Sequence, residues 1–569
     1  MFLASCPDDL SSPLFQQEQV QFNNYEFVDL SGRGLRTIPV ALHKHADSLI
    51  SLRLSRNPMI EIPSDFIQAC TALRELRLSH MSMKQVPPSL QHAPALNRLD
   101  LCCNSIKELE DAYLDQIRGL MTLLVQNNRL EKLPWHFPRL RNLISLNVSN
   151  NKFRKFPLVL TSMESLRDLD ISFNMITELP EHIGQMKLLE RFILAGNQVT
   201  RFPHEFTELV NLRILECQRN HISDLTVVCM LPQLVQLCAD HNAVSTLDLS
   251  LGPRLLKLRV AHNDITQISF IPGPLGKLPY TLTSLDLSYA KLSSLGDQVL
   301  SHLHSLRILK LDHNSIRTIP DSLGKLQWLE TLSCTDNKLD ALPSTIGNLQ
   351  KLEALDAHNN SLTELPQSIW YCASLTKINV TSNIISSWHD PPMISNPQTY
   401  VVDGNLAPDV SDRKTSVTSV TSLRILPPLV HSLEQLFLGE NDLTESVLHP
   451  LMIFMELRIL NLSFNNIVDL PHTFFRNMTH LQAIYLSGNK LTSFPAEDLP
   501  RLTKLTTIFL NANKLQTLPH ELGKVANLTI LDVGSNSLWY NTSNWEFDWN
   551  WCVMNTFPIQ RLHLLHDII

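Results

Sequence analysis

Apolar positions recur along this chain in a fixed order, L-x-x-L-x-L-x-x-N-x-L-x-x-L-P. One copy runs Leu166, Leu169, Ile171, Asn174, Ile176, Leu179 and Pro180, and another runs Leu306, Leu309, Leu311, Asn314, Ile316, Ile319 and Pro320. We count 21 copies, spaced about 23 residues apart. Inside each copy the L-x-L alternation has a period of two. It predicts a short strand with its leucines facing in and the residues between them facing out. The L-P-x-x-h-x-x-L stretch that follows, as at Leu342-Pro343, predicts a turn and a short helical or extended return. The asparagine slot holds Arg33, Met81 and Ala290 in three copies and Asn in the other eighteen. The chain must turn sharply after each strand. An inward amide there can bond backbone groups that would otherwise be buried unpaired, at about 1–3 kcal/mol each.

A period of roughly 20–29 residues with this spacing is the leucine-rich repeat. The predicted fold is α/β: a solenoid, horseshoe-like, with a parallel β-sheet on its concave face and protein recognition as its default role. One coil cannot bury its apolar face alone, so stability accumulates at the interfaces between neighbours. We expect a flank over 1–24, about sixteen coils over 25–388, and an irregular Pro/Ser/Thr-rich linker over 389–432. About five more coils then fill 433–551, with a Trp-rich end, before a divergent tail over 552–569.

The chain is 44% hydrophobic with a net charge of −8, which fits a globular protein. No apolar run reaches transmembrane length, and the start lacks the basic and long apolar stretches of a signal peptide. Ten scattered cysteines without metal-ligand spacing read as reduced thiols. A cytoplasmic location follows, with membrane contact only through a partner. Asn-x-Ser/Thr triplets at Asn147, Asn379 and Asn461 are by-products of the repeat. There is no phosphate-binding loop, no H-E-x-x-H and no assembled nucleophile–His–acid set, so no catalytic, cofactor or metal site is read. Net acidity without basic runs argues against nucleic acid.

Some stretches are not generic. Near the start stand Asn24-Tyr25-Glu26-Phe27-Val28-Asp29-Leu30-Ser31, Ser48-Leu49-Ile50-Ser51-Leu52-Arg53-Leu54 and Pro63-Ser64-Asp65-Phe66-Ile67. Near the end stand Asp532-Val533-Gly534-Ser535-Asn536 and Tyr540-Asn541-Thr542-Ser543-Asn544-Trp545-Glu546-Phe547-Asp548-Trp549-Asn550-Trp551. Together they resemble the leucine-rich region of fungal adenylate cyclase, over roughly residues 24–551. The resemblance implies a Ras-type small GTPase as partner, with other signalling proteins. It also implies a cyclase domain further along, beyond a phosphatase-like one. This chain carries neither and departs from the pattern after Trp551, so we expect a shortened chain without catalysis of its own. Two alternatives stand: a generic repeat adaptor such as a phosphatase or GTPase scaffold, and a truncated version of a full adenylate cyclase. Arg413-Lys414-Thr415-Ser416-Val417 resembles a site for cAMP-dependent protein kinase, with Ser416 as acceptor.

Outward slots stack from coil to coil, so patches can be read down the repeats. The first patch is basic: Arg53 and Arg77 in one slot, with Arg56 and Arg98 nearby, and Glu75 and Asp100 placed to neutralise part of it. Ras-type effector surfaces are acidic as a family trait, so this patch is the expected partner site. The second is a mixed strip including Glu216, Asp240, Asp312, Asp336, Arg219 and Arg259, with His241, His262, His313 and His358 alongside. The third is aromatic: Phe437, Tyr485 and Phe509 share one slot, with Phe464 beside it. Such a row fits a binding hot spot or packing on the Trp-rich end.

Overall fold

The computed structural model describes residues 25–538 apart from 59, 250–253, 271–279 and 393–425. The chain forms two compact units that divide between Lys291 and Leu292. Among the described residues of the first unit, twelve three-residue strands form one parallel ladder, from Phe27–Asp29 to Ser284–Asp286. Their central leucines pair in register, Leu52 with Leu76, Leu76 with Leu99, and Leu99 with Leu123. Two further strands, Thr246–Asp248 and Gln267–Ser269, pair with each other in the return segments; the repeat pattern gave no sign of them. Among the described residues of the second unit, nine strands run from Ile308–Lys310 to Ile530–Asp532, with Leu309, Leu332, Leu355, Ile378 and Leu436 aligned in turn. Each of these 21 strands coincides with one copy of the motif. The fold is the predicted α/β leucine-rich repeat solenoid with a parallel sheet.

The aligned leucines are fully buried, so each coil's core is completed by the next. The returns hold short 3-10 turns such as Glu181–Gln185 and Ser344–Asn348, each entered through a proline whose extended backbone ends the preceding turn. The asparagines form a ladder. Asn174 Nδ2 donates to Ile171 O at 3.0 Å in its own coil and to Val148 O at 3.2 Å in the coil before, while its Oδ1 accepts from Phe153 N at 3.2 Å. Asn337, Asn465 and Asn513 repeat this pattern. In the Met81 coil a thioether stands where the amide would be, and its Sδ accepts from Asn57 N at 3.3 Å.

The residue just before each slot is left-handed in nearly every coil, as at Arg56 (φ 63°), Phe173 (φ 51°), His241 (φ 54°), Asp336 (φ 52°) and Phe464 (φ 56°). That conformation costs a non-glycine residue about 1–2 kcal/mol. The Asn bonds on the following residue hold the chain in it. It turns one side chain per coil outward beside the sheet.

The coils flanking residues 393–425 pair directly, Lys377 with Gln435 and Asn379 with Phe437. Beneath them Trp370, Trp388 and Phe454 pack together, with ring centroids 5.3–5.8 Å apart, and Trp370 Nε1 donates to His389 O at 3.1 Å. Large rings fill the core where a regular return is interrupted. The 1–24 flank, most of the 389–432 linker with Ser416, the Trp-rich end from Trp539 and the 552–569 tail lie outside the described residues. Among the described residues, no helix is long and apolar enough to cross a membrane.

Candidate functional site

In-register pairing converts sequence slots into columns on the strand face, with neighbouring coils about 4.8 Å apart. The first and third residues of each strand point outward, followed by the residue two further on and then the left-handed residue.

In the first unit this geometry gathers the arginines around one carboxylate. Arg53 lies opposite Arg77, and Glu75 lies opposite Arg98. Glu75 Oε1 meets Arg77 Nη2 at 2.7 Å and Arg98 Nε at 3.4 Å, and its Oε2 accepts from Ser51 Oγ at 2.9 Å. Arg53 Nη1 lies 3.8 Å from Asp29 Oδ2. Arg56 stands apart on its left-handed turn and has no ion-pair partner among the described residues. Burial pushes the Glu75 carboxyl up, but the hydrogen bonds from Arg77 and Ser51 and the charge of Arg53 outweigh it. Its pKa is held below the ordinary 4.5. Asp29 is likewise lowered: burial raises it, and the bonds from Ser31 and the charges of Arg53 and Arg77 prevail. The basic patch is therefore a paired network with exposed guanidinium edges.

The mixed strip also pairs internally. Arg259 Nη2 reaches the buried Asp240 at 2.7 Å, and Asp240 Oδ1 accepts from Ala261 N. His241, His262 and Tyr289 occupy successive left-handed positions and stack with centroids about 4 Å apart. In the second unit His313 lies 3.3 Å from Asp336, and His358 lies 2.7 Å from Asp356. Among the described residues no group of three or more His, Cys, Asp or Glu could hold a metal ion.

The aromatic column in the second unit encloses space. Tyr485 and Phe509 are directly paired, and their rings stack at 5.3 Å and 14°. Phe437 lies two strands earlier with Lys377 Nζ 5.8 Å from its ring centre. Between this column and the exposed Phe464 runs a floor of small residues, Gly439, Ser463 and Ser487. The result is an open cleft of about 330 Å³. The Phe464 ring lies across Gly488, where an added Cβ would come within 2.4 Å of its Cδ1; Phe173 lies the same way over Gly196. Glycine is needed at φ 68° with a ring on top. Two acids also line the cleft. Glu440 accepts from Ser382 Oγ at 2.6 Å, and the buried Asp532 accepts from Gly534 N at 3.0 Å. Neither has a cationic partner among the described residues. Nothing in the repeat pattern marks Glu440 or Lys377, and Asp532 stands out only within the stretch Asp532-Val533-Gly534-Ser535-Asn536. The available signal was an aromatic residue followed by glycine in the same slot one coil later.

The chain matches two repeat families, a leucine-rich repeat region over 274–391 and the leucine rich repeat over 94–153, 118–176 and 455–515. It is 42% identical over 567 residues to an adenylate cyclase of Mycosarcoma maydis, covering 95% of this chain and 22% of that protein. It is 28% identical over 491 residues to an adenylate cyclase of Schizosaccharomyces pombe, covering 83% of this chain and 27% of that one. The chain thus spans about a quarter of the length of these relatives. Among solved structures it resembles YopM from Yersinia enterocolitica, with a TM-score of 0.58 at 24% identity over 93% of this chain and 90% of that one. It also resembles the Drosophila Toll–Spatzle complex, with a TM-score of 0.63 at 18% identity over 84% and 64%. These structures share the fold. The chain is a leucine-rich repeat protein-interaction region related to the adenylate cyclases of fungi.

Proposed function

We propose that this chain is the regulatory, partner-binding repeat region of a cAMP-producing adenylate cyclase, and that it takes a Ras-type small GTPase on the strand face around Arg53, Arg56, Arg77 and Arg98. The identity to the Mycosarcoma maydis adenylate cyclase over nearly the whole chain carries this reading. The repeats supply docking and no catalysis, and the protein works in the cytoplasm, at membranes only through its partner. Arginine forks match the acidic effector surface expected of such a GTPase. Glu75 pairs with Arg77 and Arg98 in the free chain, so an acidic partner docking there exchanges its own carboxylates for that one. Phosphorylation of Ser416 by cAMP-dependent protein kinase would return the output signal to this region as negative feedback. Mass spectrometry finding Ser416 unmodified under high cAMP would remove that part.

The test is binding of the purified chain to a Ras-type GTPase loaded with GTP analogue or with GDP, beside an Arg53→Glu/Arg77→Glu variant. Selectivity for the GTP form that is lost in the variant is expected. Binding indifferent to the nucleotide would replace this reading with a general scaffold. Selective binding that survives the variant would move the site off these arginines.

A further inference from the structure

We infer that the aromatic cleft of the second unit is a receptor for an arginine side chain presented by an extended segment of a partner protein. This second docking site is independent of the GTPase reading. The occupant follows from the chemistry of the walls. Tyr485 and Phe509 stand as a stacked pair on one side and Phe464 on the other, so a cation entering there has aromatic rings on either side. Aromatic rings attract cations, and guanidinium most often. Glu440 and Asp532 supply negative charge to the same space, the first accepting from Ser382 of the preceding coil and the second from Gly534 of its own turn, with no described cation beside either. The column already takes a cation at one end, where Lys377 sits over the Phe437 ring. The cleft lies at the small end of the roughly 300–1,000 Å³ range of ligand sites. That leaves room for one or two side chains, with the floor hydroxyls of Ser463 and Ser487 beneath them. The Trp-rich end of this chain is a poor match, because residues 539–551 contain Glu546 and Asp548 and no basic residue.

The probe is a fluorescein-labelled peptide, acetyl-Ser-Arg-Ser-Arg-Ser-amide, beside the same peptide with each arginine replaced by neutral, near-isosteric citrulline. Anisotropy with the full chain should show the arginine peptide binding at least about tenfold more tightly. The advantage should vanish in Tyr485→Ala/Phe509→Ala and fall in Glu440→Gln/Asp532→Asn, and it should persist in Asp168→Asn/Asp170→Asn, which removes equal charge from the first unit. Far-UV circular dichroism confirms that each variant folds, and Glu440→Gln/Asp532→Asn keeps the shape of the cleft if the aromatic variant does not. Equal binding of the citrulline peptide overturns the inference. So does an arginine preference that survives both cleft variants. Binding seen only after Arg413→Ala/Lys414→Ala overturns the partner assignment in favour of the chain's own basic segment.

Discussion

The basic face of the first unit and the aromatic face of the second are built on the same backbone slots yet offer a partner different things. Around Glu75 the charges satisfy one another: one carboxylate holds two arginines from neighbouring coils and a serine hydroxyl. Binding there must exchange one set of ion pairs for another, which favours orientation and encounter rate over raw affinity. Around Tyr485 and Phe509 the rings enclose space and the nearby acids lack cationic partners among the described residues. A ligand there gains contacts without first displacing an ion pair. A constant scaffold thus separates a pre-paired surface from an open one through side chains alone.

The largest expected effect tests the shared scaffold. Asn174→Ala in the first unit and Asn465→Ala in the second each remove donations to three carbonyls and one accepted bond. Each should lower stability by on the order of 3 kcal/mol, read as a fall in the urea midpoint. A loss in only one unit would break the claim of a common ladder.

Glycine comes next. Gly488→Ala and Gly196→Ala should each cost roughly 1–2 kcal/mol, since both positions are left-handed and both lie under a phenylalanine. Only Gly488→Ala should also weaken the arginine peptide, by tilting Phe464 into the cleft. Equal peptide binding in both variants would remove Phe464 from the site.

Acid should act on the basic face. Glu75 and Asp29 have lowered pKa values when folded. The stability they confer is complete above their ordinary values of 4.5 and 3.8 and is lost as pH falls through the lowered folded values. Urea midpoints between pH 6 and pH 3 should therefore fall less steeply in Glu75→Gln than in the unaltered chain. An identical slope would mean that the Glu75 network contributes nothing measurable.

The smallest effect is on binding. Glu75→Gln frees Arg77 and Arg98 at a stability cost of about 1 kcal/mol, as for ion pairs that water still reaches. At low salt it should tighten an acidic partner two- to fivefold, which corresponds to roughly 0.4–1 kcal/mol. Weaker binding would show that Glu75 is needed to position the arginines.

Much of this was legible in the sequence because the repeat fixes geometry. The period placed Leu52, Leu76 and Leu99 inside, Arg53 beside Arg77, and Tyr485 beside Phe509, since register follows directly from counting residues. The Asn slot foretold a bonded turn. Its handedness was not legible, because φ at Phe464 is set by bonds the next residue makes to another coil. The acids of the cleft were hidden for a related reason. Glu440 and Asp532 stand 92 residues apart in the chain and face one space only after three strands have stacked between them and the left-handed turn has swung Glu440 outward. The interruption before Pro427 also breaks the count, so the pairing of Asn379 with Phe437 could not be read across it.

The central claim is that two chemically distinct faces dock partners separately. It is tested most directly by saturating the full chain with the arginine peptide and then titrating in a Ras-type GTPase bound to GTP analogue, by calorimetry. The account predicts the same dissociation constant with and without the peptide. Mutual exclusion would put both ligands on one face and contradict it.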